Sequence, residues 1–563
     1  NPATQSDMAI ALPSLVQSAL ILAAFVLVHL LFRARKTQPK AGRLPSPKGL
    51  PVIGSVADLP LNGGWFKWYE WAQQLGPLYE INLAGDKIII ASSNEIVSEL
   101  YNGRGSKYAD RPPLFGLEDS RGTLTSQAGY LPFMGAGTRH QNLRKAANRF
   151  LTDDRSQQHY GYPTLEARRL IYRLSTSQAS KRDWLSMVCD SVDRVAARLA
   201  WGSPDPAVRH RELTEGLLHA ASVSTNIANA ISVLHKIPYA ISPWKRAEKV
   251  RRDEQTAWWL DQLKIVEKRM DDGVAGPSWA ANLLEALRAP ESKISMDRST
   301  TREDLAALTG IIASMASFAN SSLVRNAIKM MVAHPDWAKR VRAELDAVVG
   351  TERLPEVSDV PRLPTLRAFL RETMRVHVPV PTGVPHAVQG EDDVYRGFVI
   401  PHGQPIFACD YILCRDPVTY PDPFSFNPDR WLSADFPTTF QPDLTQYPTL
   451  IGASAFGTGR RVCLGQHLVA TKAYMLFAHV AWAFDLSTPD PQAAFGTHLG
   501  PHEKWGGMQV PQTPEGSVLV LPTVPCDMDF KLRSPQHEKV IADAYAASKE
   551  TDPLRALGAV NVE

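Results

Sequence analysis

Cysteine is scarce in this chain, with five in 563 residues. Cys189, Cys409, Cys414, Cys463 and Cys526 are odd in number and lack the paired spacing of a metal finger. That pattern fits a reducing compartment with one functional thiolate rather than a disulfide framework. Strong charge of either sign is also missing. A formal net charge of +3 is too mild to imply a nucleic-acid partner. There is no internal repeat and no low-complexity block. Hydrophobic content of 44% and charged content of 21% are those of a globular protein. The length would allow several domains, but only one linker breaks the chain, near its start.

Against that background one stretch stands out: Ala455-Phe456-Gly457-Thr458-Gly459-Arg460-Arg461-Val462-Cys463-Leu464-Gly465. Glycines at 457, 459 and 465 let backbone pass close to a flat ligand where a Cβ would clash. Arg461 can pair with a carboxylate through its guanidinium fork. Cys463 can offer a thiolate as axial ligand to a haem iron. Leu464, Leu468, Met475 and Ala478 recur at helical spacing, so the cysteine lies where a loop enters a helix. A helix N-terminus favours a thiolate. The competing reading is a buried structural cysteine in a glycine-rich turn.

The run resembles the haem-binding signature of the cytochrome P-450 superfamily, F-x-x-G-x-R-x-C-x-G, at every defining position, including Phe456, Gly457, Arg461, Cys463 and Gly465. The resemblance implies a mainly α fold with small β-sheets, heme b as cofactor, and Cys463 as the metal ligand. Other marks of the family follow in order. Glu372 and Arg375 lie at i,i+3 on a helix whose apolar face is Leu366, Phe369, Leu370, Thr373 and Met374. Alone, that pair reads as a solvated surface salt bridge. In the family it is the E-x-x-R pair, buried beside the haem loop and completed by the Arg of an F-x-P-x-R run, here Arg430 in Phe426–Trp431. The trio Glu372, Arg375 and Arg430 is thus architecture rather than chemistry.

Two further segments are similar to the family's propionate-binding regions. Arg144 holds the arginine place of the W-x-x-x-R helix, and His140 stands where tryptophan is usual. Both rings can donate an N–H to a carboxylate. His386, in the proline-rich stretch after the E-x-x-R helix, takes the basic position that meets a propionate.

The distal helix departs from the family. Thr300 and Glu303 read as its N-cap and N3, and His334-Pro335 ends it. Counting back from His-Pro sets the family's A-G-x-D/E-T-T on Met315–Asn320. Ala316 keeps the small residue. Phe318 replaces the acid, and Ala319 and Asn320 replace the threonines. The candidate distal residues are therefore Ala316, Ser317 and Asn320, with Ser314 and Ser321 near. Proton delivery then falls to a substrate hydroxyl or to ordered water.

Near the N-terminus, Ser14–Phe32 is almost wholly apolar and is followed by Arg33, Arg35, Lys36, Lys40 and Arg43. Such a stretch is long enough to span a bilayer. Charges that follow it disfavour a cleaved signal peptide and place the body in the cytosol. Residues 1–36 are read as leader and transmembrane anchor, with Met8 or an earlier residue as the natural start. Residues 37–54 form a proline-rich hinge and 55–563 the haem-thiolate domain. The opening segment is closest to microsomal members from filamentous fungi that oxidise secondary metabolites. The resemblance implies a single-pass protein of the endoplasmic reticulum membrane that meets lipid. It would use O2 and NADPH electrons from NADPH–cytochrome P-450 reductase, with cytochrome b5 as a further donor, to oxidise a hydrophobic small molecule. Phenol coupling or rearrangement competes with hydroxylation on this scaffold, and a haem sensor or carrier is the reading from another class.

Leu78–Leu83 and Lys87–Ala91 alternate around Ala84-Gly85-Asp86 and predict a hairpin. Ser517–Pro522 and Asp527–Leu532 predict strands near the pocket mouth.

Overall fold

The computed structural model describes residues 42–60, 63–117, 129–152, 161–176, 183–222, 229, 231–288, 300–490, 523 and 525–552. The anchor, the first part of the hinge and the strand at 517–522 lie outside the described residues. Among these the long helices are α1 (Gly64–Leu75), α2 (Thr138–Thr152), α3 (Gly161–Thr176), α4 (Trp184–Trp201), α5 (Ala207–Ala221) and α6 (Pro243–Asp271). They continue with α7 (Trp279–Arg288), α8 (Arg302–Ala333), α9 (Pro335–Val348), α10 (Pro364–Val376), α11 (Gln466–Ala483) and α12 (Pro535–Thr551). The strands are β1 (Leu78–Leu83), β2 (Asp86–Ala91), β3 (His386–Ala387), β4 (Asp393–Tyr395), β5 (Phe398–Ile400), β6 (Pro405–Ala408), β7 (Phe484–Ser487) and β8 (Asp529–Leu532).

The chain is mainly helical with small sheets. One sheet has the order β1-β2-β6-β3, and two-stranded sheets join β4 to β5 and β7 to β8. The hairpin forms as the alternation requires, pairing Leu78 with Ala91 through Leu83 with Asp86, so Asp86 belongs to the strand rather than the turn. β8 starts two residues later than the sequence suggests. Pro45 and Ser55 lie along the edge of β1: Glu80 N–H donates to Pro45 O at 2.8 Å and Ser55 N–H to Asn82 O at 2.8 Å.

α8 is the axis of the molecule, buried for most of its length against α4, α6, α10 and α11. It is also the one helix among the described residues long and apolar enough to cross a membrane, but 72% of its apolar window is inside the protein. Its capping box sits one residue further on than the Thr300–Glu303 expectation. Thr301 Oγ1 accepts from Asp304 N–H at 3.2 Å and Asp304 Oδ2 from Thr301 N–H at 3.0 Å. Asp is shorter than Glu but reaches equally from N3, so the first turn shifts by one residue. The far end is as read, with His334 as C-cap and Pro335 opening α9. A Cβ at Gly310 would lie 2.1 Å from the ring of Trp259, so the crossing of α6 over α8 requires glycine there.

Candidate functional site

The loop before α11 is closed by its own backbone, with Cys463 N–H donating to Phe456 O at 2.9 Å. Gly457 and Gly459 both have φ of +69°, a region that favours glycine. At Gly459 the close approach is to the chain itself, since a Cβ would lie 2.0 Å from Tyr101 O. At Gly465 a Cβ would come to 3.9 Å from Cys463 Sγ, an ordinary contact, so space beside the sulfur does not by itself require glycine. Burial pushes the Cys463 thiol up, while Gly465 N–H and Arg144 pull it down.

Three guanidiniums gather beside this loop. Arg461 donates through Nε to Ala109 O at 2.6 Å and through Nη1 to His140 Nε2, and its buried Nη2 has no partner among the described residues. Arg144, on α2, donates to Val462 O at 2.6 Å, one residue before the cysteine. Arg111 was not identified from the sequence, where it was only part of a long irregular stretch. It donates to Pro132 O, Val384 O and Pro385 O at 3.2, 2.7 and 2.6 Å. Among the described residues none of the three forms an ion pair with a carboxylate. Burial, then Arg461, pulls Arg111 down to about 9. Burial, then Arg144, pulls Arg461 down to about 10. Neighbouring cations withdrawn from water are costly unless an anion joins them, and Asp110 offsets only part of the charge on Arg111 and Arg461.

The two histidines beside this cluster are uncharged. Burial, Arg461 and Arg144 hold His140 at about 3. Arginine has no acceptor, so His140 Nε2 accepts and the proton sits on Nδ1, the donor it can offer a carboxylate. His386 is buried in β3, stacked on Tyr101 at 3.9 Å, and its Nδ1–H donates to Tyr108 O at 2.7 Å. Its Nε2 is therefore an acceptor in the neutral form. Burial, then Arg111, keeps its pKa well below the ordinary value. A propionate contact at Nε2 requires the imidazolium.

Behind the loop stands the trio read from sequence, and it is fully buried. Arg375 grips Glu372 with two bonds, Nε–Oε2 at 2.9 Å and Nη2–Oε1 at 2.8 Å, and Arg430 Nε reaches Oε1 at 3.3 Å. Asn427 N–H and Trp431 Nε1 complete the carboxylate at 2.9 and 3.0 Å. Burial would push the Glu372 carboxyl up; Arg375 and these donors outweigh it and hold the pKa below the ordinary value.

On α8, Ala316, Ser317 and Asn320 come together. The Ala316 carbonyl accepts from Asn320 Nδ2 at 3.2 Å and from Lys472 Nζ at 2.9 Å. Asn320 Oδ1 is buried with no partner among the described residues. Ser314 is committed elsewhere, to Thr214 and His210, and Ser321 donates to Phe318 O. Lys472 was missed in the sequence reading. Its signal was there: it is the only Lys or Arg between Arg461 and Lys504, inside an apolar helix.

The donor set thus offers one thiol on a closed loop and a cluster of buried cations with an orphaned N–H. A flat ligand with carboxylates and a thiophilic metal, as haem is, fits it.

The cytochrome P450 family model matches residues 44–498. Cytochrome P450 monooxygenase 58 of Postia placenta is 29% identical, covering 83% of this chain and 87% of its own length. Cytochrome P450 monooxygenase aneD of Aspergillus aculeatus is 26% identical, covering 91% and 93%. Cytochrome P450 monooxygenase virE of Hypocrea virens is 27% identical, covering 79% of each.

Proposed function

This chain belongs to the cytochrome P450 family and is a monooxygenase of it, and on that premise we propose that it oxidises a hydrophobic small molecule of fungal secondary metabolism. Electrons would come from NADPH through a diflavin reductase, with cytochrome b5 as a further donor. The observation that carries the reading is the cluster of Arg111, Arg144 and Arg461 beside Cys463, none of which forms an ion pair with a carboxylate among the described residues.

Haem bound there would supply the activation of O2. The chain's own residues do the rest. Arg461 Nη2 and Arg144 bind the carboxylates, and His140 Nδ1–H can add a third donor. The Glu372 trio keeps the cysteine loop from shifting. Cys463 would supply the thiolate ligand to the iron, favoured by the Gly465 N–H and the Arg144 charge against the cost of burial. Ala316 would leave space for bound oxygen, and Asn320, whose Oδ1 has no partner among the described residues, would offer a polar atom there. The N-terminal 1–36 segment would anchor the protein in the endoplasmic reticulum membrane as a single pass, with the catalytic domain in the cytosol.

The test is NADPH consumption with reductase and candidate substrates, followed by mass-spectrometric comparison of products from a producing host with and without the enzyme. Turnover to an oxidised product supports the reading. Haem binding without NADPH consumption for any substrate would make the chain a sensor or carrier.

A further inference from the structure

Lys472 is fully buried in α11 and points across to α8, where it bonds the Ala316 carbonyl at 2.9 Å. Asp193, from α4, is also buried and is the charge that acts on it. Ser317, next to Ala316, has no well-formed hydrogen bond of its own, yet it lies close enough to Asp193 to favour the carboxylate. Arg211 of α5 pairs with Asp193 at 2.6 Å, and its side chain is 28% exposed, so the cluster runs from the distal turn to solvent. Three helices therefore bring an acid and a base to the turn of α8 that lacks an acid of its own.

We propose that Lys472, backed by Asp193, is the proton-holding group of the distal helix in this chain, filling the part left open by Phe318 and Ala319. This rests on the haem-thiolate reading above. Lys472 acts through the Ala316–Asn320 turn, not on substrate, and is a positioning residue. The orphaned Asn320 Oδ1 is the acceptor that would hold a water within that turn. In the transfer, one N–H bond of the Lys472 ammonium breaks and one O–H bond forms on that water. No direct hydrogen bond joins Lys472 to Asp193 among the described residues, so the amine regains a proton from the Asp193 carboxyl across a bridging water, which takes one proton as it gives another, and Asp193 regains its own from solvent beside Arg211. No electrons move.

The charge environment suits both steps. Burial pulls Lys472 down to about 7, against the pull of Asp193. Burial pushes Asp193 up to about 6, against Arg211, Ser317 and Lys472, with Asp190 adding to the rise. Cys189, one turn before Asp193 on α4, also feels the Asp193 and Arg211 charges, and its thiol is pushed up by burial, so it stays neutral beside them. Near neutral pH both groups can give and take a proton.

The experiment uses the full-length holoenzyme and the variants Lys472→Gln and Asp193→Asn. Gln keeps a donor to Ala316 O but cannot give up a proton. The first readout is thermal stability against pH, without turnover. A lysine whose folded pKa lies below its unfolded value binds fewer protons when folded, so stability rises with pH between the two. The Tm of the wild type should therefore gain on that of Lys472→Gln from a midpoint near pH 7. The second readout is oxygen and NADPH stoichiometry with a diflavin reductase and no organic substrate. In both variants the fraction of electrons ending in water rather than hydrogen peroxide should fall, on the order of tenfold. A flat Tm difference from pH 6 to 9, or an unchanged water fraction in Lys472→Gln, overturns the proposal. If Lys472→Gln does not fold, an unchanged water fraction in Asp193→Asn overturns it equally. The reduced carbon monoxide spectrum of the wild type separates the two levels: its absence would sink the haem-thiolate reading, while its presence with unchanged stoichiometry sinks only the relay.

Discussion

Arg461 donates from Nη1 to Nε2 of His140, which fixes the histidine as a neutral ring and leaves Arg461 Nη2 free among the described residues. That single contact arranges the donors which the carboxylates of haem would meet. Arg461→Leu should lower the haem-to-protein absorbance ratio of purified protein strongly, and Arg461→Lys should lower it less, since a lysine keeps charge but not the fork. Burial and the neighbouring arginines hold His140 at about 3, so between pH 5 and 8 the ring stays neutral. His140→Gln should therefore leave the pH dependence of haem retention in that window unchanged.

Glu372 is the hub of the buried trio. Removing one partner of a buried pair costs about 3–5 kcal/mol. Arg375→Ala should unfold the protein at markedly lower urea concentration. The sign with pH follows from Glu372's depressed folded pKa. Its contribution is complete above the ordinary glutamate pKa and is lost as pH falls below it toward the folded value. Urea midpoints of wild type and Arg375→Ala should converge in strong acid and separate fully by neutral pH.

Asn320 holds the Ala316 carbonyl with Nδ2 and buries an Oδ1 that has no partner among the described residues. Asn320→Ala should raise the fraction of NADPH oxidised without product, and Asn320→Thr should raise it less, because a hydroxyl both donates and accepts. The ratio of product to NADPH checks this. An unchanged ratio in Asn320→Ala would leave Asn320 as helix packing alone.

Deleting residues 1–36 should move much of the protein from the membrane to the soluble fraction with the reduced carbon monoxide spectrum intact. A soluble, folded truncation that has lost haem would make the segment part of the core.

The cysteine loop and the Glu372–Arg375 pair were legible because each depends on residues at short, fixed spacing, whereas Arg430, 58 positions from Glu372, was joined to them only by the family resemblance. The cap of α8 was legible to within one residue, since Thr300-Thr301 and Glu303-Asp304 offer two registers of the same chemistry. Arg111 and Lys472 were not legible as site residues. Each is brought in by a segment far from the motifs, Arg111 to carbonyls beyond residue 380 and Lys472 to α8 from 156 positions away. Local pattern carries no information about such crossings. The one trace was compositional, a lone lysine within an apolar helix. Burial of the E-x-x-R pair was likewise invisible to spacing, which suits a solvated pair equally well, and rested on the family resemblance.

The central claim is that Cys463 is the thiolate ligand of a haem whose carboxylates meet Arg144, Arg461 and His140. The most direct measurement is the reduced carbon monoxide difference spectrum of wild type and Cys463→Ser. The account predicts the thiolate-haem band in the wild type and its loss in Cys463→Ser, with monooxygenase activity gone. A variant that keeps that band, or a wild type that binds haem without it, would contradict the account.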